Sequence, residues 1–215
     1  MIIVVINTTC FGADQLESII DHPIASQKRY ELTKKYAKQH YNLDHANLID
    51  PQMIVIHHTA LATVGQTMHA FESPVISTTR DKLAAYGEVN VGVHFVVDKD
   101  GQIYSLLPTT LMGRHVIGYN YTSIGIENVA LDHSRLTDAQ IRSNAILVNM
   151  LVARHPSIEY LIGHIEYMDQ SLPHFKLYKA KDLDYEPTIK IDPGWSFMKR
   201  LRYLLKRDYN VILKK

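Results

Sequence analysis

The stretch Met53-Ile54-Val55-Ile56-His57-His58-Thr59 runs from four apolar residues straight into two histidines. A short β-type apolar run without Gly or Pro reads as a buried strand, so the histidines stand at its C-terminal end. Side chains alternate across a strand. His57 and His58 therefore point to opposite faces, and only one of them can approach a metal on a given face.

Downstream, residues 93–97 read as a second strand, 98–101 as a turn and 102–106 as a returning strand, which makes a hairpin. Residues 123–129 form another short apolar strand, interrupted by Glu127, and a carboxylate in such a strand needs a reason. Thr137 with Gln140 spells a capping box. Ile141, Ala145, Val148 and Val152 follow at helical spacing until His155 and Pro156 stop the helix. Residues 160–162 are a short strand ending at Gly163 and His164. Residues 195–206 are an amphipathic helix with Phe197, Leu201, Leu204 and Leu205 inward. Upstream, residues 26–40 are rich in Lys, Tyr, Glu and Gln and read as a surface helix that packs through Tyr30, Leu32 and Tyr36. Strands and helices thus intermix around one sheet, an α/β fold.

The chain has 215 residues, 46% of them hydrophobic and 21% charged, enough for one domain with an N-terminal extension. No stretch reaches the roughly 18 apolar residues of a membrane helix, so no membrane span is expected. Lys+Arg 23 against Asp+Glu 22 leaves a formal charge of +1, which gives no reason to expect nucleic acid as a partner. Cys10 is the only cysteine, which excludes an intramolecular disulfide and a cysteine-rich metal site. Any metal must sit on His, Asp or Glu. Residues 1–13 resemble the remnant of a secretory leader without its basic start, and point to a periplasmic or secreted protein. Residues 14–50 read as a helical extension packed on the domain, and Pro51 opens a domain over 51–215.

Most of the 12 histidines, among them His22, His40, His45 and His133, stand alone in polar segments and read as surface residues. His57 and His164 differ because each ends an apolar strand, where a sheet presents side chains to a cleft. Each alone reads equally as a hydrogen-bonded core histidine. In Lys190-Ile191-Asp192-Pro193-Gly194, Asp192 and Pro193 also fit the cap and first position of the following helix, but capping has no use for Lys190. No Gly-x-Ser-x-Gly elbow is present and Cys10 lies outside the domain, which speaks against a Ser or Cys nucleophile.

In their order along the chain, residues 54–60, Ser123-Ile124-Gly125-Ile126-Glu127, Gly163-His164 and residues 190–194 resemble the type 2 N-acetylmuramoyl-L-alanine amidases. This group is related to phage T7 lysozyme and to animal peptidoglycan recognition proteins. The resemblance runs from Pro51 to the last helix. It implies a central mixed β-sheet flanked by helices and a zinc ion held by His57, His164 and Asp192. His57 is preferred over His58 because the family ligand directly follows the strand, two residues before a Ser or Thr, here Thr59. Two imidazoles and one carboxylate leave a fourth position for water, as in catalytic zinc sites. Glu127 matches the family residue that orients or deprotonates that water, and Lys190 the cation that stabilises the oxyanion. Residues 114–120 look like the stretch lining the substrate groove, with His115 and Asn120 as substrate contacts, or alternatively as a simple turn. His94 resembles a residue that packs or supports the site.

The implied activity is hydrolysis of the amide between N-acetylmuramic acid and L-alanine, on peptidoglycan or a muropeptide, by a monomer. A non-catalytic peptidoglycan-binding or sensing module is the alternative, and Glu127 and Lys190 favour the enzyme. Cytoplasmic recycling of anhydro-muropeptides stays open beside export. One departure from the family is an insertion at about 165–189, read as a lid, a substrate-selecting loop or a surface excursion. It raises His174 or Glu166 as replacements for Asp192.

Overall fold

A computed structural model describes residues 19–179 and 188–215. The leader remnant of residues 1–13 and the part of the insertion holding Tyr185 lie outside the described residues. The elements follow one another as β1 (Ile20–Asp21), α1 (Gln27–Tyr41), β2 (Met53–His58), α2 (Val64–Glu72), α3 (Asp81–Ala84), β3 (Phe95–Val97), β4 (Ile103–Ser105), β5 (Ser123–Asn128), α4 (Asp138–Arg154), β6 (Tyr160–Gly163) and α5 (Trp195–Tyr209). The strands form one sheet in the order β1-β4-β3-β5-β2-β6. Only the β3–β4 hairpin is antiparallel, so the sheet is mixed, as the family resemblance implies. Strand β2 continues through both histidines because its ladder with β5 persists to His57 opposite Glu127 and His58 opposite Asn128.

Alternation along these strands separates two cores. Ile54, Ile56, Phe95, Val97, Ile124 and Ile126 face α4 and α5, which bury Ile141, Ala145, Val148, Phe197, Met198 and Leu201 against them. The expected capping box of Thr137 and Gln140 opens α4, and Gln140 Nε2 also donates to the carbonyl oxygens of Val97 and Val129. On the opposite face Met53 and Val55 pack with Tyr160 and Ile162 beneath Val116, Tyr119 and Tyr167. The continuation of these rows, not the α4–α5 face, carries the histidines discussed below.

Helix α1 differs from a plain surface helix. Ser26 caps it, Tyr30 is exposed, and Arg29 is buried at 1% exposure. The Arg29 guanidinium donates to the carbonyl oxygens of Ile24, Phe71, Ser73 and Asn90, which ties the extension to α2 and the segment after it. Burial lowers its pKa to about 10, so it remains a cation. Helices α2 and α3 and strand β1 have no counterpart in the sequence reading.

A buried carboxylate paired with an arginine braces the end of β6. Glu166, with no exposure, accepts from Gly163 N at 2.9 Å and from Arg202 Nη2 at 2.5 Å. Removing Arg202 leaves the buried carboxylate with only Gly163 N and Lys215 Nζ at 3.9 Å, and breaking a buried pair costs up to about 3–5 kcal/mol. Arg202→Met should therefore lower stability by about that amount in urea unfolding. An unchanged midpoint would show that Glu166 gains nothing from Arg202.

Candidate metal centre

The rows that bury Met53 and Val55 on β2, and Tyr160 and Ile162 on β6, continue on the same face to His57 and His164. Pairing of Ile56 with Gly163 puts the two histidines at one level, and Glu127 sits opposite His57 on β5. Both imidazoles are buried, at 2% and 8% exposure. His57 Nδ1 lies 3.1 Å from His164 Nδ1, and Asp192 Oδ2 lies 3.3 Å from the first and 3.1 Å from the second. Among the described residues these three make a group that could hold a metal ion.

The spacing tests the fit. A tetrahedral ion with bonds of about 2.0–2.1 Å separates its ligand atoms by about 3.3–3.4 Å, close to the distances present here. Three potential ligand atoms this close together also suit a cation, which all three can meet at once. Burial, then the neighbouring His57, lowers the His164 pKa to about 4, so its ring is neutral at ordinary pH and its lone pair is available. Burial works against ionisation of Asp192. Hydrogen bonding to His164 and His57 outweighs it and holds the carboxyl well below the usual carboxylate range.

Asp192 reaches the histidines because Gly163 leaves room for its segment. A Cβ at position 163 would meet Pro193 Cδ and Met198 Cγ at 2.9 Å. Ile165 N donates to Asp192 O at 2.7 Å and fixes the approach. The capping explanation for Asp192 does not hold: α5 starts at Trp195 behind Gly194, whose φ is +92°, and no side chain caps it. His57 is fixed from the other side, where Asn128 Nδ2 donates to its carbonyl oxygen at 3.1 Å and Asn144 on α4 holds Asn128 at 2.7 Å. His58 lies outside the group and accepts from Ala60 N.

Glu127 is half-buried, and its Oε2 has no hydrogen-bond partner among the described residues. Burial, then the charge of Asp192, pushes its carboxyl well above the ordinary carboxylate range. Lys190 is half-buried, and its charge bears on His164.

The two residues expected to contact substrate sit differently from that expectation. Asn120 is fully buried. Its Oδ1 accepts from His115 N at 2.9 Å and Val116 N at 2.8 Å, and its Nδ2 donates to Tyr36 Oη, so its amide is used inside the protein. The His115 ring turns Nδ1 to His57 Nε2 at 3.1 Å and Nε2 to Ser123 Oγ at 3.4 Å. His94 is fully buried and supports the sheet, with its ring between Gly125 N and Leu111 O.

Neither alternative ligand in the insertion joins the group. Glu166 is taken up by Gly163 N and Arg202, and His174 is buried beside Tyr119. The described part of the insertion packs down on residues 116–121. Tyr121 Oη donates to Leu177 O at 2.7 Å, Lys179 N donates to Gly118 O at 2.9 Å, and a Cβ at Gly118 would meet the Tyr178 ring at 2.3 Å. Sequence reasoning gave no role to Ser123, Gly125, Asn128 or Asn144. The alternation of Ser123, Gly125 and Glu127 on one face is the signal that connects the first two to the site.

Residues 47–195, more than half the chain, match the family model for N-acetylmuramoyl-L-alanine amidase. The endolysin of Escherichia phage T7 is 30% identical over 97 residues, which are 42% of this chain and 64% of that protein. The chain therefore spans less than two thirds of the length of that relative. The 1,6-anhydro-N-acetylmuramyl-L-alanine amidase AmpD of Citrobacter freundii is 27% identical over 161 residues, 69% of this chain and 76% of the relative. In fold, the chain matches a crystal structure of an AmpD derivative with a TM-score of 0.56 at 22% identity, covering 87% of this chain and 94% of the other.

Proposed function

The chain belongs to the N-acetylmuramoyl-L-alanine amidase family, and on that premise we propose that it hydrolyses the amide between N-acetylmuramic acid and L-alanine with zinc as cofactor. The observation that carries the reading is the convergence of His57, His164 and Asp192 beside an unpartnered carboxylate. His57 and His164 through Nδ1, and Asp192 through Oδ2, would hold the ion. When bound, it supplies Lewis-acid chemistry, polarising a carbonyl and lowering the pKa of water from about 15.7 to near 7.

The chain's own groups supply the proton transfers. Glu127 accepts a proton from the attacking water at its free Oε2 and returns it to the nitrogen of the departing alanine. A carboxyl raised by burial suits this double duty, and a nearby divalent charge would favour its ionised, proton-accepting form. Lys190 stabilises the negative charge that develops on the amide oxygen. A binding-only module has no use for a desolvated carboxylate at this place, which favours the enzyme over the sensing alternative. No helix of the described residues is long and apolar enough to cross a membrane.

Purified sacculi and soluble anhydro-muropeptides, each incubated with the zinc-loaded protein and read by mass spectrometry, test the reading. The expected products are stem peptides beginning with free L-alanine, and the faster of the two substrates identifies the working form. Intact material from both incubations, or cleavage at any other bond, overturns the assignment.

A further inference from the structure

Residues 123, 125 and 127 point to the face of the sheet that holds the metal group, and each has a separate consequence. Glu127 stands beside His57. Gly125 lacks the side chain that would occupy the next place in the row. A Cβ there would meet Cγ of His115 at 2.7 Å and its Nδ1 at 2.8 Å, so the imidazole lies flat in the space that the glycine leaves open. Ser123, one place further, faces the far nitrogen of that ring at 3.4 Å. A Cβ at Gly113 would come within 3.1 Å of His115 Cδ2, so the ring is confined from a second side. Asn120 fixes the backbone beneath it by accepting from His115 N and Val116 N.

We infer that His115 is a positioning residue for the metal ligand His57, orienting its ring and fixing its tautomer through Nε2. His57 directs Nδ1 at His164 and Asp192, so that nitrogen must present a lone pair to an ion, and the proton of the neutral ring belongs on Nε2. The group 3.1 Å from Nε2 is His115 Nδ1, which accepts this proton's hydrogen bond. His115 then carries its own proton on Nε2 and donates to Ser123 Oγ. The relay Ser123–His115–His57 is the histidine counterpart of the carboxylates and carbonyls that commonly orient metal-bound imidazoles. It also accounts for the Ser-x-Gly-x-Glu spacing of β5: an acceptor for the relay, a space for its ring, and the group beside the ligand.

This inference rests on the zinc reading, and its test separates the two. Zinc dissociation constants are measured by competition with a chromophoric chelator for the parent, His115→Leu and His115→Asn, together with unfolding midpoints of the metal-free proteins. Leucine fills the space without an acceptor, whereas asparagine keeps an oxygen near the position of Nδ1. His115→Leu should bind zinc about 10–100-fold more weakly at an unchanged metal-free midpoint, the range seen when groups behind metal ligands are removed. His115→Asn should recover most of that loss. Equal affinities in the parent and His115→Leu overturn the inference. So does a loss that asparagine does not recover, or one that tracks a lowered metal-free midpoint. A parent protein that binds no zinc overturns the metal reading instead.

Discussion

His164→Ala should yield a folded protein that neither retains zinc nor hydrolyses murein. The substitution removes one of three ligand atoms and leaves His57 and Asp192, two donors where a catalytic zinc site uses three. Its structural cost is limited, because the backbone at this point is held elsewhere: Ile165 N by Asp192 O, and the adjoining turn by Glu166 and Arg202. The burial that lowers the His164 pKa to about 4 also means that the metal-free parent keeps a neutral ring there, so the alanine variant loses no ion pair. Circular dichroism should therefore match the metal-free parent while bound zinc falls below one per chain and turnover falls to background. A variant that holds stoichiometric zinc at the parent's affinity would remove His164 from the ligand set, and an inactive variant with a lost fold would not be explained by metal loss.

Strand alternation makes one part of this centre legible in the sequence, and the family resemblance supplies the rest of the ligand set. Alternation along a strand separates His57 from His58, and the pairing of β2 with β6, which no local pattern states, puts His164 on the face of His57. The capping box at Thr137 and Gln140 is equally local, and α4 begins where it says. What fails is decided by distant chain. Arg29 lies in the segment read as a surface helix, yet it is buried because carbonyls from residues 24, 71, 73 and 90 surround it. Asn120 reads as a groove residue because its neighbourhood resembles one, while the backbone turn beneath His115 uses its amide. Asp192 followed by Pro193 satisfies the rule for a helix start. Gly194 instead turns the chain first, at a positive φ that a side-chain-bearing residue rarely adopts, and this leaves the Asp192 carboxylate to the histidines. No local pattern states that His115 lies over Gly125. The missing Cβ matters only once β5 is paired and the residue 115 loop is folded onto it.

Glu127→Ala should give the complementary result, a protein that keeps its zinc and loses most of its turnover. Glu127 lies opposite His57 across the β2–β5 ladder but is not among the three residues whose atoms converge, so its removal leaves the ligand set whole. General acid–base groups typically contribute about 10²–10⁴-fold, and a fall of that size in kcat is expected. Glu127→Gln should be similarly impaired, because the amide keeps the shape and polarity but cannot accept and return a proton. Stability should move the other way. The parent holds a carboxyl whose Oε2 has no partner and whose burial opposes ionisation, an arrangement that costs folding free energy and is retained where chemistry needs it. Alanine relieves that cost, so the metal-free variant should unfold at an equal or higher urea concentration than the parent. A residue that served only the fold would lower the midpoint when removed and leave kcat untouched. Full turnover in Glu127→Ala, with zinc bound, would therefore take Glu127 out of the reaction and pass the proton transfer to another group.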